Sequence, residues 1–183
     1  YGLTHEVDVI FPKFVRPIDT FTRNFTRVSL FGLHSASADT EGTTVYDPSI
    51  YVYAERDAEY SKNIKFVLSS SLLSSEISSS TYLSVYDDEK WNLSARLRPL
   101  RIGLTGSVAG AQSGGYQIEF SGYNQRLGQI RNNFTVSASS NETNSKNLLS
   151  SPKRIFLGAH RTDITGSVQY KSDVLISSTR FWT

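Results

Sequence analysis

Short stretches in which apolar and polar residues alternate one by one recur along this chain, and no other feature limits its possible folds as strongly. A period of two places one set of side chains on each face of an extended strand. Trp91, Leu93, Ala95 and Leu97 fall on one face, Asn92, Ser94, Arg96 and Arg98 on the other, and Pro99 then limits continuation. Val28, Leu30 and Gly32 share a face, as do Tyr116, Ile118 and Phe120. Phe134, Val136 and Ala138 alternate with Thr135, Ser137 and Ser139. Further short runs start at Ile50, Ile64, Tyr82, Arg154 and Asp173. Helical periodicity hardly appears. Roughly ten short strands, separated by turns rich in Gly, Ser, Asn and Asp, predict an all-β fold: a two-sheet antiparallel jelly-roll sandwich.

Two serine-rich stretches interrupt the pattern. Residues 68–81 read as a loop, because serine competes for the backbone and disfavours helix interiors. Residues 139–152 read as a polar connector. Neither marks a boundary, since strands on both sides need partners. At 183 residues the chain is expected to hold one sandwich over residues 26–183. Residues 1–25, with Pro12, Pro17 and mixed charge, read as a lead-in segment or linker from a preceding domain. With no methionine anywhere and no signal sequence in its first residues, the chain is expected to be an internal piece of a longer polypeptide.

Composition removes several chemistries. Without cysteine there are no disulfides, zinc–thiolate sites, iron–sulfur clusters or catalytic thiols. Three histidines (His5, His34 and His160) are too few for a histidine-rich metal centre, so no metal and no cofactor is expected. The net charge is +2, with both signs spread along the chain and no Lys/Arg run, so no nucleic-acid partner is expected. No apolar run is long enough for a membrane-spanning helix, and no membrane insertion is expected.

The sharpest chemical candidate is His5-Glu6-Val7-Asp8. On a strand, Glu6 and Asp8 point to the same face, and paired carboxylates can serve as nucleophile and general acid in a retaining glycosidase. The pattern resembles the catalytic strand of laminarinase-like glycoside hydrolases, in which a further Glu acts as general acid. Here Ile10 and Phe11 follow instead, and the mechanism lacks its proton donor. The metal-binding strand of legume lectins is also similar, but Asp19 is followed by no His before His34. The remaining reading is a solvent-facing strand edge or linker, with no catalytic residue assigned.

Other candidates read more plainly. His34 and His160 end strand patterns and are expected to make turn hydrogen bonds. The stretch Ser107–Gly115 lacks the lysine of a phosphate loop and reads as a flexible hairpin loop. Asp47-Pro48 and Asp87-Asp88 fit either turns or an oxygen-lined calcium site, with turns favoured. The Asn-x-Ser/Thr triplets at Asn24, Asn92, Asn133 and Asn141 are discounted, because 28 Ser and 15 Thr make chance matches common. Tyr51, Tyr53, Tyr82, Tyr86, Trp91 and Tyr123 are aromatics that either stack on sugar rings or pack across strands.

The order of segments resembles the concanavalin A-like, laminin-G-like (LamG-like) group, and in particular the LamG-like modules of bacteriophage virion structural proteins. The segments carrying the resemblance are Val28–Ala36, Ile50–Asp57, Val85–Pro99, Tyr116–Asn124, Asn132–Ser139, Ser151–Val168 and Ser172–Trp182. The most distinctive part is Gly158-Ala159-His160-Arg161-Thr162, followed by Thr165-Gly166-Ser167 and the closing Arg180-Phe181-Trp182. The resemblance implies a jelly roll with rim loops available for binding, and no catalysis. It implies a structural and binding module of a larger virion surface protein, a tail, fibre or capsid-surface component. Its expected partners are other virion proteins in an oligomeric assembly, with host cell-surface glycans as a second class of contact. The alternatives are the laminarinase-like hydrolase and an extracellular adhesion module of a cellular organism.

Overall fold

Backbone hydrogen bonding gathers the alternating segments into two five-stranded antiparallel sheets. The structure, a computed structural model, describes residues 2–13, 26–35, 49–58, 60–100, 115–161 and 168–183. The first sheet has the order β12 (Leu175–Trp182), β1 (Leu3–Phe11), β6 (Glu89–Pro99), β7 (Tyr116–Arg126), β8 (Gln129–Ser140). The second has the order β5 (Ile77–Ser78), β4 (Ile64–Ser70), β3 (Ser49–Arg56), β2 (Arg27–Ser35), β9 (Lys153–Leu157). A separate two-stranded ribbon pairs β10 (His160–Arg161) with β11 (Val168–Tyr170). The helix α1 (Glu142–Ser150) joins β8 to β9. Among the described residues no helix is long and apolar enough to cross a membrane.

The sandwich is held by the inward set of each alternating strand. Val7, Val9 and Phe11 of β1 and Trp91, Leu93 and Leu97 of β6 meet Leu30, Leu33, Val52, Phe66 and Leu68 of the opposite sheet in one buried cluster. Aromatic rings fill its centre. Trp91 and Phe66 lie 4.7 Å apart with their rings tilted, and Phe11 and Tyr86 lie 5.2 Å apart in the edge-on geometry that aromatic quadrupoles favour. The outward set is polar, so the first sheet presents a hydrophilic face to solvent.

Three sequence expectations are corrected. Residues 1–25 are not simply a lead-in: Leu3–Phe11 is an interior strand of the first sheet, between β12 and β6. Its inward positions Leu3, His5, Val7, Val9 and Phe11 do alternate, but a histidine in that row breaks the apolar signal. The run from Tyr82 to Tyr86 forms no strand. It contributes one bridge, Ile64 to Tyr82, before turning through Ser84 (φ 57°) and Asp88 (φ 60°). The connector 139–152 contains α1. Asn141 caps it by accepting from the Asn144 amide at 3.0 Å, Glu142 occupies the first turn and pairs with Lys146, and Leu148 is buried. The Ser107–Gly115 loop lies outside the described residues apart from Gly115.

Close approach of strands makes Gly32 a sensitive position. A Cβ built there runs into the ring of Phe156 and sits 2.5 Å from the backbone oxygen of Ile50. The backbone oxygen cannot rotate away as a side chain can. Gly32→Ala is therefore expected to destabilise the fold by about 1–3 kcal/mol, as overpacking does. Urea denaturation checks this, and an unchanged midpoint would show that β2 and β3 separate more readily than this packing allows.

Candidate functional site

The outer face of the first sheet collects the chemistry. The alternation that buries Val7 and Val9 turns Glu6 and Asp8 outward. Antiparallel register sets Glu6 opposite Ser94 and Arg180, and Asp8 opposite Asn92 and Ser178. On the far side of β6, Asn92 lies opposite Tyr123 of β7. A solvent-open groove of about 310 Å³ results, lined by Asp8, Lys90, Asn92, Tyr123, Gln125, Gly128 and Arg180.

One amide organises the carboxylates. Asn92 Nδ2 donates to Glu6 Oε1 at 2.7 Å and to Asp8 Oδ1 at 2.8 Å. Ser178 Oγ donates to Asp8 Oδ2 at 2.8 Å, and Lys90 Nζ lies 3.2 Å from the same oxygen. Arg180 Nη1 donates to Glu6 Oε1 at 3.0 Å. Donors and acceptors thus alternate across the floor, with each acid matched by a cation.

This pairing bears on the hydrolase chemistry. Burial acts to raise the Asp8 pKa, but hydrogen bonds from Asn92 and Ser178, joined by Lys90, outweigh it and hold the carboxyl below its ordinary value. A general acid needs the opposite shift, toward the operating pH. Among the described residues that line the groove, Asp8 is the only carboxylate, and Glu6 stands one row further along β1.

The remaining sequence candidates fall elsewhere. Of the six aromatics named for sugar stacking, only Tyr123 is exposed. Tyr53 and Trp91 are buried because their strand parity points them into packed layers, Tyr86 is buried from a turn against Phe11 and Arg56, and Tyr51 and Tyr82 are half-buried against other rings. The two histidines expected at turns instead bond tyrosine hydroxyls: His34 Nδ1 to Tyr51 at 3.1 Å, and His160 Nδ1 to Tyr53. Register between β2 and β3 brings those side chains to one face of the second sheet, under the β10–β11 ribbon. His160 and Phe156 stack there at 5.7 Å. Asp88 serves a turn and accepts from the Lys13 amide at 2.9 Å, while Asp87 pairs with Lys62. Among the described residues no three His, Asp or Glu side chains gather as a metal site. Asn92 is committed to the two carboxylates and Asn141 to its cap, while Asn133 lies exposed on β8. Asn24 and Asp47-Pro48 lie outside the described residues.

Sequence reading missed Lys90, Ser178, Arg180 and Gln125 as members of this face. Alternation could have placed Ser178 and Arg180 on one side of β12, but not β12 beside β1, some 170 residues away along the chain. Comparison with protein-family models, with curated proteins and with solved structures finds no match to this chain.

Proposed function

We propose that this chain is a non-catalytic binding and structural module that takes a polyhydroxylated, carbohydrate-type ligand in the groove beside Tyr123. The observation that carries the reading is the coincidence of an exposed aromatic ring with a preset row of donors and acceptors on a rigid sheet. A pyranose ring offers an apolar C–H face for the ring and hydroxyls that both donate and accept. The groove's balanced charges favour a neutral sugar over a strongly ionic one. Sites on strands are held more precisely than sites on loops. The LamG-like resemblance supplies the setting: a repeated module at the surface of a virion, assembling with other virion proteins and meeting host glycans.

A glycan array followed by calorimetric titration tests the reading. Tyr123→Ala is expected to weaken binding about tenfold, which corresponds to ~1.4 kcal/mol. No reducing sugar should be released from β-glucans by the parent protein or by Glu6→Gln. Absence of glycan binding, or binding indifferent to Tyr123→Ala, would reject the groove as the site. Turnover abolished by Glu6→Gln would restore the hydrolase.

A further inference from the structure

The β7–β8 hairpin closes through only two residues, Leu127 and Gly128, between the paired Arg126 and Gln129. Both have positive φ, 51° and 78°. That is the signature of a type I′ turn, whose first position favours Asn because the Cβ of a branched apolar side chain crowds the backbone there. Packing does not compensate the leucine, which is 96% exposed. Ile130, opposite Gln125, is 59% exposed, and residues 125–131 are exposed without interruption. Arg126 and Arg131 flank the two apolar residues, and the ion pairs among the described residues include neither.

A side chain strained at its backbone and unused in packing points to a role in contact. We propose that this hairpin tip docks on an anionic lipid surface. Leu127 and Ile130 enter the boundary between headgroups and acyl chains, and Arg126 and Arg131 meet the lipid phosphates. A protein partner is disfavoured by size: two apolar side chains fall far short of the roughly 800 Å² that each side of a stable interface covers. A bilayer needs no matching cavity. Contact of this kind is peripheral, weak for one copy and sensitive to salt, and repetition of the module multiplies it. The proposal does not depend on what the groove binds.

Flotation with two vesicle types tests it, one of phosphatidylcholine alone and one of phosphatidylcholine and phosphatidylserine in equal parts. The protein is expected to float with the anionic vesicles only, and to be released as salt rises. Leu127→Asn should lower the partition coefficient about tenfold while leaving the melting temperature equal to or above the parent's, since Asn suits the turn. Arg126→Gln should lower it about fivefold. Failure to bind anionic vesicles overturns the proposal and leaves the tip to a protein partner. Equal binding to both vesicle types, or binding unchanged in folded Leu127→Asn, overturns it as well.

Discussion

Asp173→Ala is expected to lower the unfolding free energy by about 3–5 kcal/mol, the cost of removing one member of a buried ion pair. The Arg56 side chain is 1% exposed and that of Asp173 9%, and Arg56 Nη2 lies 3.0 Å from Asp173 Oδ2. The guanidinium carbon sits 4.1 Å from the centroid of the Tyr86 ring, whose hydroxyl donates to Asp173 Oδ1 at 2.8 Å. Burial, then the Asp173 charge, pushes the Tyr86 phenol far above its ordinary pKa, so it stays a donor at every accessible pH. Asp173 therefore ties the segment leading into β12 to β3 and to the turn that carries Tyr86. Removing it takes away at once the carboxylate that faces the Arg56 guanidinium and the acceptor of the Tyr86 hydroxyl. Arg56→Met combined with Asp173→Asn removes both charges, keeps an acceptor for Tyr86, and should recover a large part of the loss. By contrast, Asp87→Ala breaks an exposed pair with Lys62 at 3.6 Å and should change stability by less than about 0.5 kcal/mol. Guanidinium denaturation of the variants measures all of this. A loss below about 1 kcal/mol for Asp173→Ala would mean that water reaches the pair and shares its solvation.

The second large effect is a loss of stability in mild acid. His5 is 1% exposed, with Phe31 and Phe181 edge-on at 4.8 and 5.8 Å. Its Nε2 meets Thr179 Oγ1 at 3.1 Å and its Nδ1 has no hydrogen-bond partner among the described residues. Burial lowers its pKa from 6.5 to about 4. The unfolded chain thus takes up a proton near pH 6.5 that the folded chain refuses until about pH 4. Stability is complete above the upper value, falls as pH drops through the interval, and levels off below the lower one. For His5 alone the loss is roughly 3 kcal/mol. His160, also lowered to about 4 by burial and then by the nearby His34, contributes over the same pH interval. Urea midpoints at pH 7 and 4.5 give the slope. His5→Leu should make it shallower, leaving the His160 share, while costing little at neutral pH, since it removes an unsatisfied buried nitrogen. An unaltered slope would place the acid sensitivity in another group. Asp8 does not confuse the assignment, because its lowered pKa puts its own loss below 3.8.

The groove shows where sequence reading stops. Period two was enough to put Glu6 and Asp8 on one face and Asn92 on the outward face of its own strand. It could not say that Asn92 would bridge them, because that depends on β6 lying beside β1 in one particular register. The aromatics show the same limit. Trp91 and Tyr123 both belong to alternating strands, yet one is fully buried and the other 39% exposed. Parity separates the two faces of a strand but does not say which is covered. Likewise the strained Leu127 turn is visible only in φ, since Leu-Gly is not the usual type I′ pair.

By itself the sequence determined the class of architecture, since alternating strands without helical periodicity have few ways to bury their apolar faces other than two stacked sheets. It also excluded disulfides and thiol chemistry, because cysteine is absent. Tertiary structure alone decided that residues near the start pair with those near the end, that Arg56 and Asp173 share one buried site, and that a polar groove opens beside Tyr123. The physical reason is range. Periodicity is written in neighbouring residues, whereas strand order and register are set by the packing of the whole core.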